Sequence, residues 1–217
     1  MRIIAFGDIH MSLGNIRNLP DIKNADLVVV TGDLTNYGGK KDAKIILDQL
    51  LSLNKKLIAL PGNLDEPEVD KYLTDINLNL HGRGKVINGI GIMGMGGSNI
   101  TPFNTPGEYS EEELARLLNI GYEAIKSAGR IILVSHAPPL NTETDRISAG
   151  AHVGSVAVRN FIEKVQPELS LTGHIHEARA EDTIGKTHIL NPGMIKDGGW
   201  IEVLLENGKI TASIKMI

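Results

Sequence analysis

The first third of the chain is built from short apolar runs, each followed directly by a turn that contains glycine. Arg2–Phe6, Leu27–Val30 and Leu57–Leu60 are such runs, and their length is that of strands rather than helices. Between the second and third runs, residues 42–53 carry apolar side chains at a helical spacing. Strand, helix and strand in this order predict a parallel sheet covered by helices, as in α/β proteins.

The rest of the chain adds signs of antiparallel pairing. Asn88-Gly89 and Asn207-Gly208 each separate two apolar runs, which is typical of β-hairpins with tight turns. After the second turn, apolar and polar residues alternate, so we expect a strand over 209–217 with one face on the core and the other in water. The residues expected on the core are Ile210, Ala212, Ile214 and Met216.

Further elements are predicted between these hairpins. Ser110 and the three glutamates after it fit a helix capping box, and the apolar residues that follow are spaced for one helix face. Other predicted segments are the strands Ile131–Val134, Leu169–Leu171 and Thr187–Leu190 and the helix Val156–Val165. Because no repeat, linker or change in composition divides the chain, we expect one domain over residues 1–217, folded as an α/β sandwich of two sheets flanked by helices.

Acidic, amide and imidazole residues recur where the predicted strands end, and most of them follow a glycine. They are Asp8, His10, Asp33, Asn63, His136, His174 and His176. A single Asp at such a position is often a helix cap, and a single His is often structural, so the indication comes from the ordered set. Ligands of open α/β sheets bind at the carboxyl ends of the strands, and we therefore expect these side chains to converge.

The composition limits what such a cluster could bind. The chain contains no cysteine, so a metal would be held by oxygen and nitrogen atoms. Ligands of this kind suit Mn²⁺, Fe, Zn²⁺, Co²⁺ or Ni²⁺ better than Ca²⁺ alone. The number of candidate ligands suits two divalent ions that share one carboxylate, and Mn²⁺ is the metal we expect first.

In its order of motifs the chain resembles the calcineurin-like metallophosphoesterases over residues 2–193. The matching motifs are Asp8-x-His10, Gly32-Asp33, Gly62-Asn63, His136 and Gly173-His174-x-His176. The resemblance implies a four-layer α-β-β-α fold and a binuclear metal-dependent phosphoesterase. It implies that Asp8, His10 and His176 hold one ion, that Asn63, His136 and His174 hold the other, and that Asp33 bridges them. A metal-bridging hydroxide would then attack phosphorus in line.

One position departs from the family pattern. The family commonly has Gly-Asn-His followed by an acid, whereas this chain has Gly62-Asn63-Leu64-Asp65. Leucine has no proton to give, and a missing general acid can cost on the order of 10²–10⁴ in rate for a poor leaving group. His152, in a glycine-rich loop before a predicted helix, is the candidate replacement as proton donor or phosphate contact. The N–H groups of Gly154 and Ser155 are candidate phosphate contacts at the helix start.

Two segments near the candidate site have alternative interpretations, and two further histidines have no predicted role. The loop around His152 is otherwise a plain surface loop with a solvated imidazole. Asn191-Pro192-Gly193, after the last strand before the C-terminal hairpin, either borders the site or forms an ordinary turn. His81 and His188 belong to no motif, and we interpret both as structural or surface residues.

The expected function is hydrolysis of a phosphodiester or phosphomonoester in a small phosphorylated substrate. The alternative is a non-catalytic metallophosphoesterase-like scaffold that binds a protein partner, although such scaffolds tend to lose ligands that are all present here. A third possibility is a binuclear hydrolase of amides or lactams. The His-x-His-x-Asp-His run of metallo-β-lactamases is absent from the sequence, which argues against it.

Net charge and hydropathy indicate which classes of binding partner and which cellular compartment to expect. The net charge of −4 disfavours non-specific binding to nucleic acid, which usually requires a basic excess. The apolar stretch at the N-terminus is too short for a signal peptide, and no apolar run approaches the length of a membrane span. We therefore expect a cytoplasmic protein with no membrane partner.

Overall fold

The computed structural model describes all 217 residues and contains two large β-sheets. The first sheet consists of β1 (Arg2–Phe6), β2 (Leu27–Val30), β3 (Leu57–Ala59), β12 (Gly199–Glu206) and β13 (Lys209–Met216). The second consists of β4 (Arg83–Ile87), β5 (Ile90–Met95), β8 (Arg130–Ser135), β9 (Leu169–Leu171), β10 (Ala180–Ile184) and β11 (Thr187–Asn191). Two short strands, β6 (Ser98–Asn99) and β7 (Glu108–Tyr109), form a separate ribbon.

The helices are few and of moderate length. The α-helices are α1 (Lys40–Leu53), α2 (Pro67–Asp75), α3 (Glu111–Glu123) and α4 (Val156–Val165). Single 3₁₀ turns occur at Ile16–Asn18, Ile22–Asn24, Glu143–Asp145 and Ile195–Asp197. None of the helices has the length and apolar character that crossing a membrane requires.

Parallel pairing brings the ends of the central strands to the same side of each sheet. The first sheet has the order β13-β12-β1-β2-β3, in which β1, β2 and β3 run parallel. The second has the order β10-β11-β9-β8-β5-β4, in which β5, β8, β9 and β11 run parallel. The loops after β1, β2, β3, β8 and β9 carry the polar residues identified in the sequence, so the topology is the reason that they can meet.

The core has three apolar layers, one between the sheets and one on each outer face. In β1, Ile3 and Ala5 point into the layer between the sheets, whereas Ile4 and Phe6 point to the layer under α1 and α2. The helices α3 and α4 cover the outer face of the second sheet. A strand buried on both faces is apolar at nearly every position, which explains why the central strands are almost continuous apolar runs; the buried Ser170 in β9 is an exception. The fold is therefore the predicted four-layer sandwich of two sheets between helices.

Several local predictions are confirmed in detail. The strands β1, β2 and β9 and the helix α4 have the predicted bounds. The predicted capping box is present at the start of α3: Ser110 Oγ accepts a hydrogen bond from Glu113 N at 3.2 Å, and the Glu113 carboxylate accepts one from Ser110 N at 3.0 Å. Asn88 and Gly89 both have positive φ, as expected for a tight hairpin turn between β4 and β5.

Other features differ from the predictions. The helix α2 and the strands β6, β7 and β10 were not predicted; β10 is an edge strand in which exposed and part-buried residues alternate, so it has no apolar run. The placement of Met216 on the core is wrong, because its side chain is 52% exposed, whereas Ile210, Ala212 and Ile214 do pack against the layer between the sheets. In the ladder Met216 lies opposite Gly199, which offers no side chain to pack against.

Candidate metal centre

The loops that follow the central strands are hydrogen-bonded to each other across the two sheets. Asp8 N donates to Gly32 O at 3.0 Å, which joins the loops after β1 and β2. Gly173 N donates to His136 O at 3.1 Å, which joins the loops after β9 and β8. The ring of His136 crosses between the sheets, where its Nδ1 lies 2.9 Å from Thr31 O. One continuous set of loops therefore carries all the predicted metal ligands.

The backbone at this edge is held in an unusual conformation. Asp8, His10, Asp33 and His174 all have positive φ, at 49°, 48°, 49° and 68° respectively. A non-glycine residue in this region costs of order 1–3 kcal/mol, and such residues cluster at functional sites. The close approach also explains a glycine of the motif, because a Cβ on Gly62 would lie only 2.0 Å from Asp33 Oδ1.

Four of the predicted residues form a tight first group. Asp8, His10, Asp33 and His176 each offer one ligand atom, and these atoms all lie within 4.8 Å of one another. The two Nε2 atoms of His10 and His176 are 3.0 Å apart, and His176 Nε2 is 3.3 Å from Asp8 Oδ1. Atoms bound to one ion at about 2.0–2.2 Å lie roughly 3.0–3.5 Å from each other, so this spacing fits a shared ion.

A second group lies on the other side of Asp33. His136 Nε2 is 3.0 Å from Asn63 Oδ1 and 3.5 Å from Asp33 Oδ2. The ring of His174 is next to that of His136, with a centroid distance of 5.1 Å. Since Asp33 Oδ2 is also 3.7 Å from His10 Nε2, a single carboxylate oxygen reaches both groups.

The hydrogen bonds behind the imidazoles orient them toward the cluster. Nδ1 of His10 is 2.9 Å from Asn36 Oδ1, and Nδ1 of His136 is bonded to Thr31 O. An Nδ1 that donates to an oxygen leaves Nε2 with its lone pair, and Nε2 is the atom that faces the cluster in both residues. The residues present therefore fit a metal ion in donor type, spacing and orientation.

The electrostatics of the cluster is dominated by two buried carboxylates, Asp8 and Asp33, which are 0% and 2% exposed. Burial raises the pKa of Asp33, but the charges of His136 and His10 and a hydrogen bond from His136 outweigh it and lower the pKa to about 2. Burial lowers the pKa of His136, but Asp33 and Asp8 raise it to about 9. Burial and the charge of His136 lower the pKa of His174 to about 4. No lysine or arginine neutralises these carboxylates, and the histidines do so instead.

Asp65 supports the cluster from behind, a role that the sequence analysis missed. Its buried carboxylate accepts hydrogen bonds from Gly62 N at 2.8 Å, Thr35 N at 2.8 Å and Leu34 N at 3.1 Å. It thereby fixes the loops that carry Asp33 and Asn63. Burial and the charge of Asp33 raise the pKa of Asp65 to about 7. The acid that commonly ends this motif in the family stands at the position of Asp65, and it is the sequence signal that could have identified this role.

Asn191 supports the loop of His174 and His176. Its Nδ2 donates to Ile175 O at 2.9 Å and to Gly173 O at 3.3 Å. Of the two interpretations of the Asn-Pro-Gly segment, the structure therefore favours the one in which it borders the site.

His81 and His188 lie outside the cluster: His81 Nδ1 accepts from Gly96 N, and His188 Nε2 is 2.9 Å from Glu181 Oε2.

The imidazole of His152 is held by a buried partner, although residues 148–151 before it are exposed. Its Nδ1 is 2.7 Å from Oδ1 of Asp145, whose side chain is fully buried, while His152 itself is 31% exposed. The expected phosphate contacts of the neighbouring N–H groups are wrong, because both groups are already used. Gly154 N donates to Asp145 Oδ2 at 2.9 Å, and Ser155 N donates to Pro138 O at 2.8 Å.

A cleft of about 940 Å³ opens over the cluster. Asp33, Asn63, His174 and His176 line it on one side, and His152 lines it as well. Leu64, which stands where the family commonly has His, is also part of its lining. The cleft brings the candidate proton donor and the candidate ligands into one space.

Comparisons with known proteins agree with this architecture. A family model described as calcineurin-like phosphoesterase matches residues 1–178. The uncharacterized protein MJ1162 of Methanocaldococcus jannaschii is 40% identical over 200 residues, which is 88% of each chain.

Two solved structures share the fold at low identity. The protein TT1561 of Thermus thermophilus has a TM-score of 0.74 at 18% identity and covers 98% of this chain and 97% of its own. A dimetal phosphatase from Danio rerio has a TM-score of 0.65 at 10% identity, with coverage of 100% and 96%. The family model, which spans most of the chain, decides the assignment: the chain belongs to the calcineurin-like phosphoesterases, a metal-dependent family of hydrolases.

Proposed function

We propose that this chain hydrolyses phosphoesters of small substrates with the help of two divalent metal ions. The observation that carries the proposal is the position of Asp33 Oδ2, 3.7 Å from His10 Nε2 and 3.5 Å from His136 Nε2. An oxygen shared in this way between two sets of imidazole and oxygen donors is what a bridging carboxylate requires. The chain's membership of a phosphoesterase family and its likeness to a dimetal phosphatase support the same reaction.

The two ions would be held by two groups of side chains. Asp8, His10 and His176 would hold one ion, and Asn63, His136 and His174 would hold the other, with Asp33 between them. Mn²⁺ is our first choice of metal, followed by Fe, Zn²⁺, Co²⁺ and Ni²⁺, because the donors are oxygen and nitrogen atoms. The chemistry that two such ions supply is Lewis-acid polarisation of the phosphoryl oxygens and activation of water.

The chain's own contribution to departure of the leaving group would come from His152. Asp145 holds Nδ1 of His152, so Nε2 is the ring nitrogen that remains for the cleft. As the bond between phosphorus and the leaving oxygen breaks, Nε2–H would give its proton to that oxygen. Asp145, whose buried carboxylate holds the ring in place, acts as the positioning residue. In this way the pair would replace the acid that Leu64 cannot provide.

The test is hydrolysis of bis-p-nitrophenyl phosphate by purified protein loaded with Mn²⁺. Release of nitrophenol is expected, and Asp33→Ala is expected to abolish it. Asp21→Ala, which changes an exposed carboxylate outside the cluster, is the matched control and should keep the wild-type rate. Binding of two equivalents of metal without turnover of any monoester or diester would refute the enzyme and favour the scaffold that binds a protein partner.

A further inference from the structure

The most exposed apolar side chains of the protein surround one cleft. Among the large hydrophobic residues, Phe103 is 76% exposed, Ile100 67% and Tyr37 56%, which are the three highest values in the chain. All three line the cleft that also contains Asp33 and His174. Scattered exposed hydrophobic residues are ordinary, but a group of them around a cleft marks a surface that binds an apolar group.

The loop that carries two of these side chains is fastened to the candidate metal centre. Asn63 Nδ2 donates to Thr105 Oγ1 at 3.0 Å, and Gly107 N donates to Asn63 O at 2.9 Å. Within the loop, the Glu108 carboxylate accepts from Thr101 Oγ1 at 2.5 Å and from Thr105 N at 2.9 Å. Ile100 and Phe103 are therefore held at a fixed place relative to Asn63, as residues that select a substrate must be.

The charged residues that line the cleft also favour a substrate whose organic group is uncharged. No lysine or arginine lines it, although these are the residues that ordinarily bind a phosphate or carboxylate away from a metal. Glu177 adds a carboxylate to the lining, and this carboxylate accepts hydrogen bonds from the hydroxyl and the N–H of Ser148. A second anionic group on the substrate would be repelled by this carboxylate, and no lysine or arginine of the lining would compensate its charge.

We infer that the substrate is a phosphoester with a single phosphoryl group and an uncharged, apolar or aromatic organic group. That organic group packs against Phe103, Ile100 and Tyr37, while the phosphoryl group lies at the metal cluster. The inference rests on the proposed function for the phosphoryl end only. It excludes nucleoside diphosphates, nucleoside triphosphates and sugar bisphosphates as good substrates.

Phosphonates test this inference by binding, because their C–P bond is not hydrolysed. Calorimetric titration of Mn²⁺-loaded protein should show that phenylphosphonate binds at least about tenfold more tightly than methylphosphonate, since a ring is removed from water. In 4-phosphonobenzoate, a carboxylate is placed at the far end of the same ring, and most of that gain should be lost.

Variants test whether the preference comes from the apolar wall of the cleft, which is formed by Tyr37, Ile100 and Phe103. Phe103→Ala should reduce the ratio of phenylphosphonate to methylphosphonate affinity from about tenfold to about twofold. Ile120→Ala, which removes a 46% exposed apolar side chain outside the lining of the cleft, is the control and should keep the ratio.

The outcomes separate the inference from the proposed function. Equal affinity for methyl- and phenylphosphonate, or tighter binding of 4-phosphonobenzoate, overturns the inference even if bis-p-nitrophenyl phosphate is hydrolysed. A clear preference for phenylphosphonate without turnover of any ester supports the inference and overturns the hydrolase. Failure of every phosphonate to bind overturns the inference, and it overturns the hydrolase as well if no phosphate ester is turned over.

Discussion

Asp33 and His136 follow strands of different sheets, and yet Asp33 Oδ2 is 3.5 Å from His136 Nε2. This contact joins the loop after β2 to the loop after β8, and the same oxygen reaches His10 in the loop after β1. Buried carboxylates at the junction of two sheets are costly unless a cation compensates them. In the metal-free protein the histidines provide that charge, and in the proposed function metal ions replace it.

The ligand assignment predicts different losses from different variants. Asp33→Ala should remove both ions, because both groups share its carboxylate. His10→Ala should remove one ion and leave the other, because its ring belongs to the first group only. Metal content after dialysis, measured by mass spectrometry, checks this; retention of two ions by Asp33→Ala would show that the carboxylate does not bridge.

The raised pKa of His136 predicts how the metal-free protein depends on pH. Burial opposes the charged ring, but Asp33 and Asp8 raise its pKa from the usual value of 6.5 to about 9. The stability from this charged ring is fully present below pH 6.5 and is lost as the pH rises through about 9. The free energy of unfolding should therefore fall over this window by on the order of 1–3 kcal/mol.

Urea unfolding of chelator-treated protein at several pH values measures this change. His136→Gln should reduce the fall, because glutamine does not titrate; His176, whose pKa is lowered by burial but raised overall by Asp8, accounts for the part that remains. His188→Gln, at a surface histidine paired with Glu181, serves as the control and should show the wild-type profile. A free energy of unfolding that rises from pH 7 to 9 in the wild type would contradict the assignment of the charge to His136.

The proton donor assignment predicts a dependence on the leaving group. His152→Ala should slow the hydrolysis of phenyl esters, which have a poor leaving group, by on the order of 10²-fold, and that of p-nitrophenyl esters much less. Asp145→Asn should show the same pattern to a smaller degree, since the imidazole remains but loses its charged partner. An equal slowing of both ester types would assign His152 a structural role instead.

A gain-of-function variant tests the same idea independently. Leu64 lines the cleft at the position where the family commonly has His. Leu64→His, made in the His152→Ala background, should restore part of the rate toward phenyl esters because it returns an acid to the cleft. The comparison is the ratio of kcat for phenyl and p-nitrophenyl esters; no change in this ratio would count against proton donation from this side.

The capping box predicts a stability effect without an effect on chemistry. Ser110→Ala removes the hydroxyl that accepts from Glu113 N at the start of α3, and it should cost about 1 kcal/mol of stability. Ser52→Ala, near the end of α1, removes an exposed hydroxyl and should change stability by less than about 0.5 kcal/mol. Thermal unfolding of both variants provides the comparison.

The sequence predicted the central strands well because burial on both faces leaves them apolar at nearly every position. It missed β10, because an edge strand exposed along one face has no such run. The convergence of Asp33 with His136 was expected from the parallel order of the strands. The pairing of His152 with Asp145 was not, since nothing in the sequence shows which loop residue faces the imidazole. The apolar wall around Phe103 likewise forms only when the loop is folded onto Asn63.

Two metal ions at this cluster are proposed to carry phosphoester hydrolysis. The most direct measurement follows manganese content and turnover of bis-p-nitrophenyl phosphate in the same samples as metal-free protein is titrated with Mn²⁺. We expect saturation at two ions per chain, with nitrophenol release that follows the occupancy of the second ion. Saturation at two ions with no release from any phosphate ester, or full activity in metal-free protein, would contradict it.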